Sequence, residues 1–306
     1  MISTIENMLT DHTFMVVALG TGLLGLLSGV VGVFMTLRKQ SLLGDALGHA
    51  ALPGIVLMFI FIREKNLALL LFGAIISGMI ATAIINAMNR YTSIKLDSAL
   101  SLVLSTFFGL GTALLTYIQR DPSTAQAGLE KFIFGQASGM LIKDVQMISV
   151  LGVVVLILVA IFWKEFKLLS FDRHYARTLS GPYHILDYVL SFLTVLVIGL
   201  GLESVGVVLI SALLVAPAIA ARQWSNRLWV VVMLSGIFGF ISGVLGTFFS
   251  SLGRQIPTGP VIVVIATSIV ILSLLFAPKR GLIQQKYQQK QRQLALIDQI
   301  ESEEIQ

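Results

Sequence analysis

Asp45 and His49 place a carboxylate and an imidazole inside an apolar run, GDALGHAALPG at 44–54. On a helix, residues four apart share a face one turn above the other, so this pair forms a two-donor arm for a cation. An ionisable group at membrane depth is costly and by default faces a pathway or a partner, not lipid. Pro53 adds an acceptor, because its ring displaces the ordinary donor to the carbonyl four residues back, that of His49. Gly44 and Gly48 recur at the same interval and leave a bare strip on which a neighbouring helix packs closely, which makes this a central helix. The competing reading is a hydrogen-bonded pair that sets helix packing and binds no ion. Two donors do not complete a site, since zinc takes four and manganese more. A second copy of the chain, across a twofold axis, would supply another Asp45 and His49.

The elements that must position this pair are membrane helices. Of the 306 residues, 56% are hydrophobic and 12% charged, and the mean hydropathy is +0.90, which excludes a soluble domain and predicts an all-α polytopic membrane protein. Apolar runs at 14–37, 42–62, 66–88, 98–118, 145–163, 185–200, 204–221, 228–250 and 259–277 give about nine spans, alternatively eight, at the ~20 residues a span needs. Taken whole, 185–221 would be about 54 Å long, so it must turn, and the glycines of 199–204 mark the expected place. Counting the helical rise from Lys39 puts His49 about 15 Å in, near the middle of a ~30 Å core. The first thirteen residues lack Lys and Arg and the first run is too long for a signal-peptide core, so that run is expected to stay as a membrane helix. One domain is expected over 1–281, with a cytoplasmic tail at 282–306.

The chain has no cysteine, so a bound metal is held by oxygen and nitrogen, which leans toward manganese, iron or zinc and away from copper(I). The net charge of +5 is spread over short loops, so topology explains it better than a nucleic-acid partner does. Placing the N-terminus outside and the C-terminus in the cytoplasm puts most Lys and Arg residues on the cytoplasmic side.

Outside the pair, several residues invite a role. Pro217 frees the carbonyl of Leu213 and, with Ser211, either lines the pathway or forms a plain kink. Asp97 reads as the N-cap of the fourth span. The external segment 119–144 contains GLEKFIFG at 128–135, a surface loop or a short re-entrant helix. The cytoplasmic segment 164–184 carries Asp172, Ala176 and Leu179 at helical spacing, closed by Gly181 and Pro182. No GxxxxGK[ST], GxSxG or HExxH motif occurs, so the chain is not expected to be an enzyme, and its energy comes from a partner or an ion gradient.

The segment 44–54 resembles the signature of the membrane permease subunits of manganese, zinc and iron ABC importers. SFDRHYARTL (170–179), SVGVVLISALLVAPA (204–218), PTGP (257–260) and FAPKRG (276–281) resemble further segments of that family in the family's order. The resemblance implies a large-pathway (type II) importer permease in the plasma membrane, with Asp45 and His49 as ligands of the transported divalent metal and no permanently bound cofactor. It also implies a coupling helix, with Phe171, Asp172, Ala176, Leu179 and Gly181 at the surface that docks into cytoplasmic ATP-binding subunits. A second copy of the chain and an extracellular metal-binding protein complete the implied assembly, with Glu203 a candidate outer contact. Two other functions compete: a secondary proton-linked metal cation transporter, and an ABC permease for chelated iron or a corrinoid. The first calls for an inverted repeat, which the sequence does not display, and has no use for the segment at 164–182. The second needs an apolar vestibule more than bare ligands.

Overall fold

In a computed structural model, the structure describes residues 11–63, 66–119, 135, 137–171, 183–253, 256–278, 281–285, 289 and 293. In chain order the helices are α1 His12–Leu37, α2 Leu43–Ile62, α3 Leu67–Tyr91, α4 Leu96–Ile118, α5 Ile142–Ile161, α6 Trp163–Phe171, α7 Tyr183–Val205, α8 Val207–Trp224, α9 Leu228–Ser251 and α10 Thr258–Phe276, with a 3-10 turn at Ala137–Gly139. All but the short α6 are long and apolar enough to cross a membrane, which makes nine candidate spans among the described residues.

The centre is α1, opened by Asp11, whose carboxylate accepts the Thr13 N–H at 2.9 Å. Lipid tails are as apolar as side chains, so membrane helices associate through close packing and buried hydrogen bonds. The sequence of α1 supplies both. A Cβ on Gly25 would collide with the Gly239 carbonyl, and one on Gly239 with the Gly25 carbonyl, so α1 and α9 touch backbone to backbone. Across this seam Ser235 Oγ donates to the Gly29 carbonyl at 2.7 Å, and the Thr21 and Thr247 hydroxyls share a hydrogen bond at 3.0 Å. At Gly32 the backbone of α8 comes equally close.

Three expectations need correction. The turn in 185–221 does not fall at 199–204: α7 runs through it and ends at Val205, and the chain reverses at Gly206, where φ is +80°. A left-handed residue between two helices favours glycine, whereas Gly199 and Gly201 are used for packing, against Leu71 and Ile210. Residues 38–42 are not helical, and Lys39 has φ of +57°. Since α2 starts at Leu43, His49 lies only about 9 Å along it, not 15 Å. Asp97 is not the cap of α4; Lys95 holds that position and Asp97 lies in the first helical turn.

After α5 the chain folds into α6, whose buried Phe166 sits against Phe34 of α1 with ring centroids 5.6 Å apart. Arg38, the C-cap of α1, pairs with Asp187 near the start of α7, Nη2 to Oδ1 2.5 Å, with side chains only 7% and 14% exposed. Together these contacts hold both flanks of 172–182, the stretch that contains the expected coupling surface.

Candidate metal site

Asp45 is the third residue of α2, in its first turn, and Leu42, the N-cap, makes no side-chain capping bond. The helix dipole favours a carboxylate there. One turn on, the His49 ring lies edge-on to Phe108 of α4, centroids 4.7 Å apart, and its Nδ1 is buried with no hydrogen-bond partner. That leaves Nε2 turned toward Asp45 Oδ1, at 3.6 Å. This separation is too long for a hydrogen bond and falls within ion-pair range. Two donors each about 2.1 Å from one tetrahedral metal would be about 3.4 Å apart.

The His49 side chain is 17% exposed and that of Asp45 41%. The arm is therefore anchored at the imidazole and open at the carboxylate. Among the described residues no third His, Cys, Asp or Glu joins them.

The glycine strip behaves as its spacing predicts. A Cβ on Gly44 would stand 3.0 Å from Leu214, and one on Gly48 2.9 Å from Val207. Val207, Ser211 and Leu214 follow one line of α8 at helical spacing, which brings Ser211 alongside the turn that holds the pair. Ser211 Oγ donates to its own Val208 carbonyl at 3.0 Å, and Pro217 is buried in α8. Pro53 does not break α2, which continues to Ile62.

Two residues of this site escaped the sequence reading. Ser77 of α3 donates to the Ala50 carbonyl at 2.6 Å, supporting the backbone where Pro53 perturbs it, and Phe108 backs the imidazole. Neither has a local signature. The nearest signal is the pairing of Gly54 with Gly73, whose backbones meet across α2 and α3.

Of the expected coupling residues, Phe171 closes α6 with 62% of its surface exposed, while Asp172, Ala176, Leu179 and Gly181 lie outside the described residues. Glu203 lies in the last turn of α7, and its side chain is also outside them. Most of 119–144 is likewise not described; its end is, and a Cβ on Gly135 would collide with the backbone at Val205.

Nine membrane-length helices among the described residues, packed around a glycine-lined centre with Asp45 and His49 on one face of α2, have the architecture of a multi-pass membrane protein. The profile of the ABC 3 transport family matches residues 11–277, and the chain belongs to that family. It is 44% identical to the zinc transport system membrane protein TroC of Treponema pallidum (strain Nichols), over 95% of this chain and 97% of that protein. It is also 44% identical to the manganese transport system membrane protein MntC of Bacillus subtilis (strain 168), over 86% of this chain and 60% of that one. The fold matches PsaBC from Streptococcus pneumoniae, solved in complex with Fab, at a TM-score of 0.81 and 31% identity, covering 94% of this chain and all of that one. The chain is thus a multi-pass membrane permease of an ABC transport system.

Proposed function

We propose that Asp45 and His49 bind a divalent transition metal ion, manganese or zinc, as it crosses the membrane. The chain is the permease subunit of an ABC importer for such an ion, and a separate subunit hydrolyses ATP. The observation that carries the site is the 3.6 Å separation of His49 Nε2 from Asp45 Oδ1, an ion-sharing distance with the carboxylate open. Relatives named for zinc and for manganese support this class of cargo. An oxygen and a nitrogen donor suit either ion, so the donors do not separate them.

The incomplete arm motivates a functional unit with two copies of the chain. Native mass spectrometry of the complex purified with its natural partners is expected to show a permease dimer, and metal analysis of the same sample is expected to find manganese or zinc. A fully active complex with one permease copy would overturn the dimer; an active complex that imports neither metal would overturn the cargo.

We place the N-terminus outside and the tail at 282–306 in the cytoplasm of a cell membrane, on the distribution of Lys and Arg. The stretch 172–181 then lies on the side of the ATP-binding subunit, continuing from α6. Replacing Ala176 by Arg is expected to abolish copurification of that subunit while the permease remains in the membrane. Undiminished copurification would remove the assignment.

A further inference from the structure

A cleft of about 730 Å³ opens where α5 ends and α9 begins. Ile161, the last residue of α5, lines one side together with Trp163, Lys164 and Glu165 of the first turn of α6, and Trp229 and Met233 near the start of α9 line the other. Ile161, Trp229 and Met233 are 63%, 55% and 58% exposed, so much of the wall is apolar and uncovered. Two of the three tryptophans of the chain stand here. Indoles collect at the headgroup level of a bilayer, where one end of the ring is dry and the other wet. Trp163 is fixed by its edge-on contact with Phe34 of α1, centroids 6.0 Å apart, so that this wall is preformed.

The cleft also carries both signs of charge. Lys164 is exposed, whereas Oε2 of the Glu165 carboxylate is buried with no hydrogen-bond partner, so the neighbouring lysine does not serve it. A buried polar atom left unpaired is costly. A carboxylate oxygen accepts hydrogen bonds and donates none, so what completes the site must bring a donor, and a cationic donor binds most strongly. Lys164 donates only and suits an anion.

A molecule that lays apolar chains on Ile161, Trp229 and Met233 while offering an anion to Lys164 and an ammonium to Glu165 is an aminophospholipid. An anionic headgroup without an amine would answer Lys164 and set like charge against Glu165. A choline headgroup is cationic but has no N–H to give.

We propose that the cleft between α6 and α9 binds one phospholipid with a primary-amine headgroup, its phosphate on Lys164, its ammonium on Glu165 and its acyl chains along Ile161, Trp229 and Met233. On the orientation proposed above, the lipid comes from the cytoplasmic leaflet. The protein packs α6 on α1, α5 and α7, and the lipid ties it to α9 as well. The permease purified with its ATP-binding subunit can be delipidated and then offered equal amounts of phosphatidylethanolamine, phosphatidylcholine and phosphatidylglycerol with the same acyl chains. Native mass spectrometry is expected to show phosphatidylethanolamine retained about tenfold over either of the others, the worth of one charge-assisted hydrogen bond. Glu165→Gln keeps the shape and removes the charge, and is expected to erase the preference over phosphatidylcholine. Lys164→Gln is expected to weaken retention of both these lipids alike. Equal retention of the three lipids by the wild type, as a cleft filled by water or covered by the ATP-binding subunit would give, would overturn the proposal, and so would a preference for another headgroup or one unchanged in Glu165→Gln. The wild-type comparison needs no variant, so it decides the matter even if a substitution disturbs assembly.

Discussion

Asp45→Asn and His49→Ala are each expected to cut metal uptake per assembled complex about a hundredfold, while the ATP-binding subunit still copurifies. A charged or nitrogen ligand lost from a desolvated ion forfeits about 3 kcal/mol, and about 1.4 kcal/mol is a factor of ten. Asn keeps the shape of Asp and removes its charge, so a fall in uptake with intact assembly isolates the electrostatic role. His49→Ala removes both the donor nitrogen and the ring that lies on Phe108, and His49→Phe separates these effects by restoring an aromatic ring without a ligand. If packing were the whole role, Phe would rescue uptake and the losses would track the amount of folded protein. Normal uptake per complex in both Asp45→Asn and His49→Ala would dispose of the site.

Asp187→Ala is expected to cost about 3–5 kcal/mol of stability, because it leaves the Arg38 guanidinium buried without that carboxylate. Burying a charge is far more expensive than burying an apolar group of the same size, so the double variant Arg38→Met with Asp187→Ala should recover most of the loss. Thermal unfolding of the detergent-solubilised permease distinguishes the outcomes. A single variant as stable as the wild type would mean that the pair is solvated and contributes little. Since the pair joins the end of α1 to the start of α7, its loss should also weaken retention of the ATP-binding subunit, the partner assigned to the neighbouring stretch.

The spans were legible because a membrane enforces continuous apolar runs, and the Asp45 and His49 pair was legible because nothing in such a run explains charge. What stayed hidden depends on contacts between distant residues. Gly206 looks no different from Gly199 or Gly201 in the sequence, and only the backbone around it reveals which glycine turns the chain. Phe108 is one of many phenylalanines, and its role follows from α4 lying beside α2. Arg38 reads as a topology charge at the end of a span, yet it is buried against a carboxylate 149 positions away. The depth of His49 was overestimated for a local reason, since the left-handed Lys39 and the residues after it make a turn that a count of helical rise treats as helix.

The glycine seam between α1 and α9 bears on how such a protein changes shape. Where two backbones meet with no side chain between them, there is no compliant layer to absorb sliding, and the Thr21–Thr247 and Ser235–Gly29 hydrogen bonds close what freedom is left. These two helices must therefore travel as one stiff keel. Any alternation between outward and inward openings has to be taken up by helices on its flanks, and a tilt of α4, sparsely buried and resting on His49 through Phe108, would move the imidazole of the proposed ligand pair.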